Sequence, residues 1–236
     1  MKRKTIMQAG KELLARKNVR NALLICGILS FLLYVAMNII GAMQYDGYSS
    51  ASQTISELSA IGAPSRPLWV WLGFVYNALM LAFALGVLAS AGRNRMLRII
   101  GILLLAFVIV GFAWPFASMH QREVLAAGGG TFADTMHLIF GGVNSILFLL
   151  IIGFGASAFG KRFRIYSIAT IIAILLFGTL MGMDAPKVAA NEPTPWVGVT
   201  ERIMVLGSML WFAVLAIALL RKGRGKGTPE RSGLGA

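Results

Sequence analysis

Six stretches of this chain contain no Asp, Glu, Lys or Arg: residues 21–45, 67–92, 99–121, 135–160, 165–183 and 203–220. An α-helix rises about 1.5 Å per residue, so about 20 apolar residues cross the roughly 30 Å hydrocarbon core of a bilayer. Each stretch is long enough, the last with help from the apolar residues before Glu201. The pattern predicts six spans near 21–43, 68–90, 98–117, 135–159, 164–183 and 196–220. Inside lipid every backbone N–H and C=O must be paired within its own segment, so the spans are helices. A transmembrane barrel would show short alternating segments instead. The expected fold class is all-α, an integral membrane bundle of six transmembrane helices.

Composition agrees with that solvent. Of 236 residues, 57% are hydrophobic and 13% are charged. Soluble domains average about 45–50% apolar and about 25% charged residues. The mean hydropathy of +0.75 excludes a soluble globular domain and a disordered chain alike. One cysteine, Cys26, leaves no disulfide framework within the chain. It is expected to be a small packing residue.

The formal charge of +13 acquires meaning only once it is placed. Alternating loops put the N-terminus, the 91–97 connection, the 160–163 connection and the C-terminus on one face. That face carries 18 of the 22 Lys and Arg and two acids, Glu12 and Glu230. The opposite face has Arg66, Arg122, Lys187 and Arg202, with seven of the nine acids. The positive-inside rule then predicts both termini in the cytoplasm and the chain in the cytoplasmic (inner) membrane. This bias accounts for the basic residues without nucleic acid. The expected partner is membrane lipid, with anionic headgroups gaining about 1 kcal/mol per basic residue near the surface. No soluble protein partner is implied.

Three segments are expected: a basic cytoplasmic stretch at 1–20, the six-helix domain at 21–220, and a basic disordered tail at 221–236. Residues 1–20 are too long and charged for a signal-peptide n-region, so the first span reads as an uncleaved helix. Trp114-Pro115 should end or kink the third span.

The first outer loop, YDGYSSASQTISELSAIGAPSRP, has its own pattern. Thr54 and Glu57 have capping-box spacing, and Ile55, Leu58 and Ile61 share a helical face. Gly62 and Pro64 then stop the run. A short amphipathic helix is expected at about 51–61, either resting at the interface or closing over a site.

Ionisable groups at a bilayer are costly and therefore informative. On the fourth span Asp134, His137, Gly141, Asn144 and Ser145 recur at helical spacing, so this polar stripe should face the bundle. Asp134 can also serve Thr131 as the acidic partner of a capping box. His120, Arg122 and Glu123 follow the third span, Asp184 ends the fifth, and Glu201 and Arg202 open the sixth. All fall on the outer side. They either lock the helix ends or line a cavity in which Arg122 and Arg202 hold an anion. No cofactor is expected. Zinc is the alternative, on His120, His137 and Asp134, although no H-E-x-x-H spacing occurs. The GGG at 128–130 lacks the GK[ST] of a phosphate loop, and no G-x-S-x-G elbow is present.

The run SQTISELSAIGAPSRP at 52–67, with MHQR at 119–122, DTMH at 134–137 and TER at 200–202, resembles the signature of a six-span membrane family. That family is known only as domain of unknown function 998. The resemblance covers roughly residues 20–220. It implies a six-span bundle and carries no established activity. A more distant likeness is to membrane-embedded metal hydrolases of the alkaline ceramidase and adiponectin-receptor kind. Those pair Ser, Asp and several His on seven helices, whereas this chain has six spans and no paired histidines in its last one.

The leading expectation is a binding role for a lipid headgroup or small polar solute. Its contacts would be Glu57, His120, Arg122, Asp134, His137, Glu201 and Arg202. A metal-dependent lipid hydrolase is the second reading, with Glu201 or Glu57 as general base. A small-solute transporter using Asn38, Asn77 and Asn144 is the third.

Overall fold

A computed structural model describes residues 2–225. Seven α-helices occur among them: α1 (Lys2–Met43), α2 (Arg66–Ala91), α3 (Arg95–Ala113), α4 (Arg122–Ala126), α5 (Phe132–Ala156), α6 (Lys161–Ala189) and α7 (Val197–Gly225). Two short 3₁₀ turns, Ser56–Ser59 and Trp114–Ala117, complete the set. All but α4 are long and apolar enough to cross a membrane. The chain is a multi-pass membrane protein.

Local chemistry sets the helix ends. Asn94 caps α3 by accepting the Leu97 N–H at 3.2 Å. Thr131 and Asp134 cap α5 reciprocally, as their spacing predicts. Pro115 falls in the 3₁₀ turn that closes α3. Three ends move from their expected places. The basic N-terminal segment continues the first helix rather than standing apart, because its Ala, Leu, Lys and Glu are good helix formers. α6 runs past 183 to Ala189, carrying Pro186 within its last turns and an Asp184–Lys187 ion pair at 2.9 Å. At the C-terminus α7 extends through Gly225 into the expected tail. Residues 226–236 of that tail lie outside the described residues.

The six spanning helices form a closed ring in chain order: each packs on its sequence neighbour, and α7 returns to α1. Neighbours are antiparallel. Gly27 lies against Phe83, Gly86 against the backbone of Leu23 and Leu24, and Gly41 against Trp69. Gly223 of α7 likewise meets Arg20 of α1. These glycines let backbones approach where a Cβ would overlap the partner. One face of the ring holds the start of α1, the end of α7 and the short 92–94 and 157–160 connections, and is called here the terminal face. The opposite loop face holds 44–65, 114–131 and 190–196.

Large apolar residues such as Ile109, Ile172 and Leu176 point outward. Such a surface suits hydrocarbon and would be a liability in water. Toward the terminal face the interior is filled by aromatics. Phe107, Phe148 and Phe212 stack mutually at centroid distances of 5.3–5.8 Å. Phe83 and Trp211 extend the cluster from opposite sides.

Candidate functional site

The loop at 44–65 is held by side chains rather than by its own helix. Thr54 and Glu57 satisfy each other as a capping box: the Thr54 N–H donates to Glu57 Oε2 at 2.6 Å and the Glu57 N–H to Thr54 Oγ1 at 3.3 Å. Only one 3₁₀ turn follows, Ser56–Ser59, in place of the expected helix over 51–61. Ile55 and Leu58 are buried, so the turn is inserted into the mouth of the ring and does not rest on an interface. The reason is competition for its carbonyls. Those of Ser50, Ser52, Gln53 and Ser59 accept hydrogen bonds from arginines instead of from the next helical turn.

Three arginines staple this loop. Arg66 Nη1 donates to Ser59 O at 2.7 Å. Arg202 Nη1 reaches Ser50 O at 2.8 Å and Gln53 O at 3.1 Å, and its Nη2 donates to the Tyr48 hydroxyl at 2.6 Å. Arg122 pairs with Glu57 and donates to Thr194 Oγ1 at 2.8 Å and Ser52 O at 3.0 Å. Arg122 and Glu57 are 8% and 3% exposed, so their charges compensate each other inside the protein. Burial pushes the Tyr48 hydroxyl up to about 12, with Arg202 opposing the shift. The guanidinium groups expected to hold an anion therefore have their hydrogen-bonding capacity largely committed to this loop.

A second polar unit joins the 118–121 segment to α5. Asp134 accepts the His120 N–H at 2.7 Å, His120 Nδ1 at 2.8 Å and the Thr131 N–H at 2.7 Å. The Ile61 N–H donates to Met119 O at 2.7 Å, tying this unit to the loop. His137 turns elsewhere. Its Nδ1 lies 2.9 Å from Ala117 O, and its ring packs edge-on to Trp114 at 5.1 Å. A carbonyl only accepts, so Nδ1 carries the proton and Nε2 of the neutral ring is an acceptor.

Beneath the loop lies a cavity of about 390 Å³ that every spanning helix lines. Its roof is Ile55, Ser56 and Ser59. Glu201 stands at the roof, 7% exposed; its carboxylate accepts the Ile55 N–H and the Ser56 hydroxyl. The walls include Tyr34, Trp69, Tyr76 and Trp114. Asn77, Asn144 and Ser145 stand deeper, and Phe107 and Phe148 form the floor. The Oδ1 atoms of Asn77 and Asn144 are buried without a hydrogen-bond partner. From His137 to Phe148 the lining of α5 descends about 16 Å, at 1.5 Å per residue.

The predicted stripe is therefore divided. His137, Gly141, Asn144 and Ser145 line the cavity, whereas Asp134 caps its helix. Of the residues expected to make the site, Glu201 and His137 reach this space. Glu57, Arg122 and Arg202 form the frame above it, and His120 joins Asp134. Among the described residues no three His, Cys, Asp or Glu side chains gather as a metal ligand set. Tyr34 and Tyr76 carry no site signal in the sequence, because aromatic residues in apolar spans look like packing; Asn77 is the polar signal in the middle of α2.

A family model described as "Protein of unknown function (DUF998)" matches residues 28–218, most of the chain. Neither a curated protein nor a solved structure matches the chain.

Proposed function

The chain belongs to the DUF998 family, and on that premise we propose that its helix ring is a receptacle for an amphipathic molecule taken from the bilayer. The observation that carries this reading is the cavity itself. It has a polar roof at Glu201 and His137, an aromatic and apolar body, and a volume within the roughly 300–1,000 Å³ of small-molecule sites. A polar group seats at the roof and an apolar chain descends toward Phe107 and Phe148. Glu57, Arg122, Arg202, His120 and Asp134 act as the frame that fixes the roof.

Two features support access from lipid and a closed far end. Leu138, Gly142 and Gly182 line the cavity and are also exposed, which opens it sideways between α5 and α6. The aromatic cluster of Phe107, Phe148 and Phe212 seals the other end, which favours binding over passage. The terminal face, carrying most of the Lys and Arg, is assigned to the cytoplasm of an inner membrane. The receptacle then faces outward.

Native mass spectrometry tests the receptacle. Wild-type protein released from nanodiscs is expected to retain an amphiphile. Gly141→Phe places its ring where an added Cβ meets nothing within 4 Å, beside the cavity wall. That variant should lose the occupant with its melting midpoint preserved. An occupant retained by the variant, or none in the wild type, overturns the reading.

A further inference from the structure

Resting on the receptacle reading, we infer that the pocket selects amphiphiles whose headgroup is a hydrogen-bond-donating cation, an ammonium group above all, seated at Glu201 and His137. Three independent features of the lining converge on this chemistry.

The first is charge. Thirty residues line the cavity, and none is Lys or Arg. The four cations of the loop face are engaged elsewhere: Arg66, Arg122 and Arg202 in the loop, Lys187 with Asp184. The one carboxylate of the lining is Glu201, and no ion pair among the described residues includes it. Its partners, the Ile55 N–H and the Ser56 hydroxyl, are neutral dipoles. A carboxylate held away from water without an ion-pair partner is costly, and an incoming cation lowers that cost. An incoming anion adds to it.

The second is the balance of donors and acceptors. His137 spends its Nδ1 proton on Ala117 O, which leaves Nε2 as an acceptor. Asn77 Oδ1, buried in a residue 6% exposed, and Asn144 Oδ1 are acceptors without partners. One donor of the lining, Trp69 Nε1, is also without a partner; the acceptors outnumber it, and an N–H-bearing group satisfies them where a carboxylate or phosphate does not.

The third is the aromatic wall. Tyr34 packs edge-on to Trp69 at 5.7 Å and against Tyr76 at 5.3 Å, and Trp114 stands beside His137. Ring faces attract cations, and desolvated ones do so most strongly. A carboxylate, free acceptors and several aromatic rings around one space are the elements of amine recognition.

Three single-chain probes of equal length separate the possibilities: dodecylammonium, dodecanol and dodecanoate. Full-length protein is reconstituted in phosphatidylcholine nanodiscs, and each probe is set to the same mole fraction in the bilayer. Binding is read from the shift of the thermal midpoint and from native mass spectrometry. Dodecylammonium should bind about tenfold more tightly than dodecanoate, a difference of about 1.4 kcal/mol, with dodecanol between them. Glu201→Gln should erase the advantage of the ammonium over the alcohol while the alcohol still binds. Equal binding of all three, or preference for dodecanoate, overturns the headgroup inference and leaves the receptacle standing. If none binds to the wild type, and Gly141→Phe changes nothing, the receptacle falls and the inference with it.

Discussion

Arg122 clasps Glu57 with two parallel hydrogen bonds, Nε to Oε1 at 2.6 Å and Nη2 to Oε2 at 2.8 Å. The pair joins the first long loop to the start of α4, 65 residues apart in the chain, and both partners are buried. Bidentate geometry of this kind is specific to a guanidinium. The remaining Arg122 donors reach Thr194 and Ser52, so one side chain ties together three segments of the loop face.

Removing either partner should destabilise the protein strongly. Arg122→Ala leaves the Glu57 carboxylate buried without a counter-charge, and breaking such a pair costs about 3–5 kcal/mol. Arg122→Lys keeps the charge but loses the fork, and should fall between Ala and wild type. Thermal unfolding in detergent, followed by near-ultraviolet circular dichroism, reads the order. Equal midpoints for all three proteins would contradict the clasp.

Tyr48 links pH to the same frame. Its hydroxyl donates to Thr54 O at 2.7 Å and accepts from Arg202. Burial raises its pKa from 10 to about 12. The folded pKa lies above the unfolded one, so the neutral hydroxyl contributes stability that is fully present below pH 10. That contribution is lost as pH rises through about 12. Tyr48→Phe should therefore be less stable at neutral pH, by about 1–3 kcal/mol for the groups left unpaired. Its stability should also fall less steeply than that of the wild type between pH 10 and 12. Chemical denaturation at stepped pH values reads both effects.

Hydropathy alone located the spans, because six runs without charge have no other solvent to live in. Their ends were less legible. Nothing in hydropathy distinguishes a basic segment that stops at 20 from one that continues the helix, as α1 does. The α5 stripe was readable, since His137, Gly141, Asn144 and Ser145 share a face by spacing alone. The arginines were not. Their acceptors are mostly backbone carbonyls of the loop, which every residue possesses, so no side-chain pattern announces them. His120 and Asp134 could be grouped as candidates, but their direct pairing joins positions 14 apart across α4, which no local spacing announces.

Asp134 has two duties, and they can be separated. It caps α5 through the Thr131 N–H and holds His120 through both the backbone and the ring. Asp134→Ala removes all of these acceptors and should cost more than the roughly 0.5–2 kcal/mol of a lost helix cap. His120→Ala leaves the cap intact and should cost less. Equal losses in the two variants, measured by thermal unfolding, would mean that capping contributes nothing here.

Membrane orientation is open to chemical labelling. The terminal face gathers Arg93, Arg95, Arg98, Lys161, Arg162 and Arg164, whereas the loop face has Arg66, Arg122, Lys187 and Arg202. Cys26, the one native thiol, is replaced by Ser to give a silent background. Asp46 and Arg93 are exposed and lie on opposite faces. Asp46→Cys should react with a membrane-impermeant maleimide in intact cells, and Arg93→Cys only after the membrane is opened. The reverse pattern would turn the receptacle toward the cytoplasm and require its amphiphile to come from the inner leaflet.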